Sequence, residues 1–201
     1  MPQTEPKEFK IIQEACASLA TYGLFLFFMV WIALWHAPIW PYAVVFGLIL
    51  SFMIKIDIKH MILPDSLNII LLISGLTSHY LIYGNILFSI LGALFGFLLF
   101  FAIFYITYKI KGEPSMGFGD VKFITALGAW VGITGIPLIL LWASLFAGIY
   151  IIFKMILSKK FTDKPFPFGP YLAVAGWVTF LYSTWSWTVI LNVREKLLGI
   201  F

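Results

Sequence analysis

The chain has 201 residues, of which 62% are hydrophobic, 19% aromatic and 11% charged, with a formal net charge of +4. Soluble domains carry about 25% charged residues, so the composition excludes a water-soluble globule and implies an integral membrane protein. The lone cysteine, Cys16, excludes an intrachain disulfide and a cysteine cluster for zinc.

The apolar runs are long and unbroken, as in helices, without the alternation of β-barrel strands. They predict an all-α, polytopic membrane bundle of about seven transmembrane helices, forming one domain over 1–201 behind a polar tail at 1–10 that lacks signal-peptide character. The predicted spans cover about 18–35, 41–57, 67–83, 86–108, 120–133, 136–157 and 169–190. A perpendicular crossing needs about 20 apolar residues. The second, third and fifth spans fall short, which implies a locally thin bilayer or helix ends enclosed by protein. A "GITGIP" break separates the fifth from the sixth. Gly92 and Gly96 form a GxxxG, read as internal helix packing, and Trp31, Trp35, Trp40, Trp185 and Trp187 fit an aromatic belt.

With spans alternating, Lys7, Lys10, Lys55, Lys59, Lys109, Lys111, Lys122, Lys154, Lys159, Lys160 and Lys164 fall on one side of the membrane. Only Arg194 and Lys196 fall on the other. The positive-inside rule then places the N-terminus and the loops near 58–66, 109–119 and 158–168 in the cytoplasm.

Of nine carboxylates, only Asp57 and Asp120 stand at span boundaries with apolar sequence directly inside. Asp57 closes the second span and Asp120 opens the fifth, and two crossings lie between them. Both are therefore expected at one depth on the cytoplasmic side. Two carboxylates in a low-dielectric bundle can share one proton. Such a pair can activate water as base and protonate an amide as acid, with no cofactor and no metal. Gly117 and Gly119 would allow close approach to Asp120 and positive φ. An aspartate at a helix start is also a good cap and dipole partner. An acid near Lys55 or Lys59 can equally be an ordinary ion pair. The residues alone leave paired catalysis, capping and ion transport open.

The motifs resemble a known family. "GFGD" at 117–120 is similar to the GxGD signature of intramembrane aspartyl proteases, and "MGFGDVKFITALGAWVG" resembles the branch of type IV prepilin leader peptidases. "IDIKHMILPDSLN" at 56–68 and "PFPFGPYLAVAGW" at 165–177 resemble two further blocks of that branch, and the resemblance covers roughly 11–190. It implies a leader peptidase of the inner membrane acting on type IV prepilins or type II secretion pseudopilins. These substrates would carry a short basic leader before a hydrophobic helix. The catalytic aspartates would be Asp57 and Asp120. Pro64, Asp65, Gly117, Gly119, Lys122, Gly169 and Pro170 would support the site or the substrate.

Many members of the family also N-methylate the mature pilin and carry a cytoplasmic domain with paired CxxC motifs. With Cys16 alone and a short polar N-terminus, a short peptidase-only form is expected, a form that also methylates being the alternative. No cofactor and no nucleic-acid partner is expected; the substrate pilins and the lipid bilayer are. An ion-coupled transporter and an inactive assembly scaffold are the competing classes. Asp65 is read as a cap of the third span, with Ser66 the alternative. Lys122 is read as balancing the acids or snorkelling. Lys59 and His60 are read as solvated loop residues, and His79 as an interface histidine.

Overall fold

A computed structural model describes residues 40–113, 116–158 and 166–182, with isolated positions before residue 40. Most of the first expected span and of the N-terminal tail, together with Cys16, Trp31, Trp35, Trp185, Trp187 and the side chain of Trp40, lie outside what is described. Among the described residues every regular element is an α-helix: α1 (Trp40–His60), α2 (Asp65–Tyr83), α3 (Leu87–Lys111), α4 (Phe118–Val131), α5 (Gly135–Ser158) and α6 (169–182). Four of them, α1, α2, α3 and α5, are long and apolar enough to cross a membrane. The chain is a multi-pass membrane protein.

Helix ends follow local chemistry. α1 has no breaker before Pro64, whose ring disfavours helical geometry in the residue before it, and it runs three residues beyond Asp57. Lys59 and His60 are therefore not loop residues. They form the last turn of α1, where positive charge suits the helix dipole. The "GITGIP" break lies between α4 and α5. Gly132 follows Val131 at φ +73°, a conformation that glycine adopts without a Cβ clash, and the chain restarts at Gly135.

α4 is the central element. At 14 residues it is roughly 21 Å long, too short to span a hydrocarbon core of about 30 Å. It tolerates this because its neighbours enclose it: every residue from Ala126 to Val131 is buried. Phe46 of α1 stacks on Trp130 with ring centroids 4.4 Å apart, and Trp177 and Phe180 of α6 close the cluster. The Trp130 indole N–H donates to the Leu71 carbonyl of α2 at 2.9 Å, so this buried donor is satisfied.

α3 crosses α4 with the backbones in near contact. A Cβ added to Gly92 would lie 2.3 Å from the Gly128 carbonyl oxygen, and one on Gly128 would lie 2.4 Å from that of Gly92. Glycine alone fits either position, and the GxxxG at 92–96 serves internal packing as expected. The Ser89 hydroxyl donates to the Ala129 carbonyl and adds a polar tie at this crossing. The outward faces of α2, α3 and α5 carry exposed Ile73, Leu94, Leu98, Ile106, Ile149 and Ile152, suited to lipid.

Candidate active site

Asp57 lies one turn inside the end of α1, where the Met61 N–H still bonds its carbonyl at 2.9 Å. Its side chain is buried at 5% exposure. The Gly169 N–H donates to Asp57 Oδ2 at 3.0 Å. Gly169 opens α6, so this N–H belongs to the first helical turn, whose amides have no partner within the helix and favour an anion. Pro170 follows at a position where a missing N–H costs nothing. A Cβ on residue 169 would come within 2.6 Å of Asp57 Oδ2, so the close approach requires glycine.

Asp120 is the third residue of α4 and not its cap. Gly117 is the cap residue, extended at φ −69° and ψ 145°, and no side chain caps the helix. The Asp120 N–H bonds the Gly117 carbonyl at 3.1 Å, and the Asp120 carboxylate turns back toward the Gly117 amide. This is one half of a capping box, since Gly117 has no side chain with which to reciprocate. The positive φ that Gly117 and Gly119 would allow is not used, since the positive-φ glycines among the described residues are Gly84, Gly112 and Gly132. What Gly119 supplies is room: a Cβ there would lie 3.2 Å from Leu63 Cβ.

Leu63 joins the two halves of this corner. Besides meeting Gly119, its Cδ2 lies 3.2 Å from where a Cβ of Gly169 would be. The end of α1, the α1–α2 connector, the start of α4 and the start of α6 thus converge on one buried leucine. Asp57 and Asp120 are close enough there for the charge of Asp57 to act on Asp120. Like charges in so enclosed a place favour a state in which one proton serves both carboxyls.

Asp65 and Lys122 are brought together elsewhere. Lys122 Nζ bonds both carboxylate oxygens of Asp65, at 2.7 and 2.6 Å. Neither Asp65 nor Ser66 caps α2. Pro64 occupies the cap position without a side-chain bond, and Asp65 is the first helical residue, placed well for the dipole. The lysine that follows the GxGD motif therefore answers Asp65. Two residues of α-helix turn through about 200°, so Lys122 leaves α4 on the side away from Asp120. His79 stands at the far end of α2, its Nε2 3.9 Å from where a Cβ of Gly132 would be.

Two participants were not anticipated. Leu63 carries no chemical signature in the sequence beyond its place before Pro64. Asn68 is a buried amide in the second turn of α2, one helical turn from Asp65, and that spacing alone could have marked it.

A model of the type IV leader peptidase family matches residues 44–152, more than half of the chain. The chain belongs to that family. The match includes Asp57, Asp65, Asp120 and Lys122, while Gly169 and Pro170 lie beyond it. Among relatives, the prepilin leader peptidase/N-methyltransferase of Aeromonas salmonicida is 38% identical over 132 residues, 64% of this chain and 44% of the relative. The proteins of that name from Dichelobacter nodosus and Stutzerimonas stutzeri are 37% identical over 151 residues and 32% over 178. These alignments cover 74% and 88% of this chain, and 51% and 59% of the relatives. This member of the leader peptidase family thus spans about half the length of the curated relatives it matches. No solved structure matches it significantly.

Proposed function

We propose that the chain is an aspartyl endopeptidase that removes the basic leader from type IV prepilins or type II secretion pseudopilins. It would act at the cytoplasmic face of the inner membrane, with Asp57 and Asp120 as the catalytic pair. The observation that carries this reading is the convergence of two acids from separate helices on one buried corner, in a chain of the leader peptidase family.

In the working state one carboxyl is ionised and the other protonated. The ionised member takes a proton from water as the water oxygen bonds to the scissile carbonyl carbon. The protonated member gives its proton to the carbonyl oxygen. As the tetrahedral adduct collapses and the carbon–nitrogen bond breaks, the newly protonated carboxyl gives its proton to the leaving nitrogen, a hydroxyl of the adduct gives one to the ionised carboxylate, and the pair again holds one proton. The Gly169 N–H fixes Asp57 Oδ2 and leaves the other oxygen for water. Gly117 and Gly119 shape the helix start that carries Asp120, Pro170 helps open the helix whose first amide holds Asp57, and Pro64 positions the connector.

The test is cleavage of a full prepilin by the purified chain in detergent, read as a size shift. Asp57→Ala and Asp120→Ala should each abolish the shift while tryptophan fluorescence melting shows a folded protein. Cleavage retained in either variant would overturn the assignment. The relatives' names also include N-methyltransferase, so a second reading adds methylation of the mature pilin. A methyl increment on the cleaved product in the presence of S-adenosylmethionine would support it.

A further inference from the structure

A cavity of about 290 Å³ lies between α2, α3 and α4, on the side of α4 turned away from the two acids. Ile69, Leu72 and Phe97 form its apolar wall, and Asp65 and Lys122 stand at its edge. Their side chains are 53% and 36% exposed, so the ion pair faces outward as well as inward. From Asp65 to Leu72 the lining descends seven residues of helix, roughly 10 Å, from the polar end of the bundle into its apolar belt. Ile69 at the rim is exposed, as are Ile73 one turn further along α2 and Leu94 and Phe101 one turn either side of Phe97. The cavity therefore opens sideways, toward lipid.

Its wall also holds Asn68, which is only 4% exposed. Neither the amide nitrogen nor the amide oxygen of Asn68 has a hydrogen-bond partner. An unpaired amide in such a place is costly, and a ligand carbonyl would satisfy its nitrogen. The site thus combines an apolar slot, a hydrogen-bonding amide partway down and a neutral pair of opposite charges at the top.

We propose that this cavity binds a zwitterionic phospholipid with a primary ammonium headgroup, phosphatidylethanolamine. One acyl chain lies along Ile69, Leu72 and Phe97, and an ester carbonyl accepts from the Asn68 amide. The phosphate faces Lys122 and the ammonium faces Asp65. A purely anionic headgroup would satisfy Lys122 but meet Asp65 with like charge. A trimethylated headgroup would lack the N–H donors that a carboxylate accepts. A prepilin with its scissile bond at Asp57 and Asp120 would have to pass around α4 to enter, which favours lipid as the occupant.

The experiment is native mass spectrometry of the detergent-purified full chain, mixed with equal amounts of phosphatidylethanolamine, phosphatidylcholine and phosphatidylglycerol. Retention of phosphatidylethanolamine several-fold above the other two is expected. The double variant Asp65→Asn with Lys122→Met should lose that preference, and Asn68→Leu should weaken retention of all three. Equal retention by the native chain, preference for phosphatidylglycerol, or preference surviving in the double variant would overturn the proposal. A photoreactive residue at Ile69, in vesicles holding all three lipids and a prepilin, gives an independent readout that needs no charge variant to fold. Capture of phosphatidylethanolamine supports the site, and capture of prepilin overturns it.

Discussion

The start and the end of α4 are packed in opposite ways. At its end, Gly128 and Gly92 bring two backbones into near contact, Trp130 is stacked by Phe46, and its indole N–H is bonded to Leu71. At its start, Gly119 lets Leu63 pack against the backbone, Gly117 is exposed, and Asp120 is only partly buried. Small residues at the end let helices close. Small residues at the start keep a carboxylate approachable. A bundle in lipid gains little from apolar contact alone, so close backbone packing holds it together. One end of the same helix then provides the rigidity against which the other keeps its opening.

This contrast can be tested by perturbing each end in turn. Asp57→Asn or Asp120→Asn keeps the shape of the starting end but removes its proton chemistry. Each should lower prepilin cleavage by about a thousand-fold or more, measured as single-turnover rates, with the melting temperature unchanged. Gly128→Ala attacks the other end, forcing a Cβ to within 2.4 Å of a carbonyl oxygen. It should destabilise the fold by about 3 kcal/mol, read by thermal melting, and lower cleavage only in proportion to unfolded protein.

The cleavage rate should follow a bell-shaped pH profile set by two apparent constants of the coupled acids. At low pH both carboxyls are protonated and no base remains. At high pH both are ionised and no acid remains, so the rate falls about tenfold per pH unit on each flank. Gly169→Ala pushes against Asp57 Oδ2 and should slow cleavage about tenfold while leaving the α3–α4 crossing intact, as melting would report. Asp65→Asn breaks only a part-exposed ion pair and should change stability by less than about 1 kcal/mol.

The helical class and the internal use of Gly92 and Gly96 were legible because apolar run length and small-residue spacing are properties of a single segment. The helix limits near Asp57 were less so, because nothing between Asp57 and Pro64 punctuates the chain. The expected span stops at Asp57, where helical hydrogen bonding in fact continues to Met61. Asp65 and Lys122 were visible as charged residues, but their pairing is 57 positions long in sequence. It depends on the rotation of α4, which sends Asp120 and Lys122 to different neighbours. Asn68 and Leu63 went unremarked for a related reason. One draws its interest from being buried without a partner, the other from touching two glycines at once, and neither condition exists before the chain folds.

Leu63 has a consequence for how such a corner can vary. The first turns of α4 and α6 both rest on this one aliphatic side chain, which acts as a spacer gauge between the helices nearest the acids. A shorter residue there would let the two turns settle toward each other, and a bulkier one would wedge them apart. The separation of these two turns is thus tied to the girth of an uncharged connector residue, and it can be retuned without altering either carboxylate.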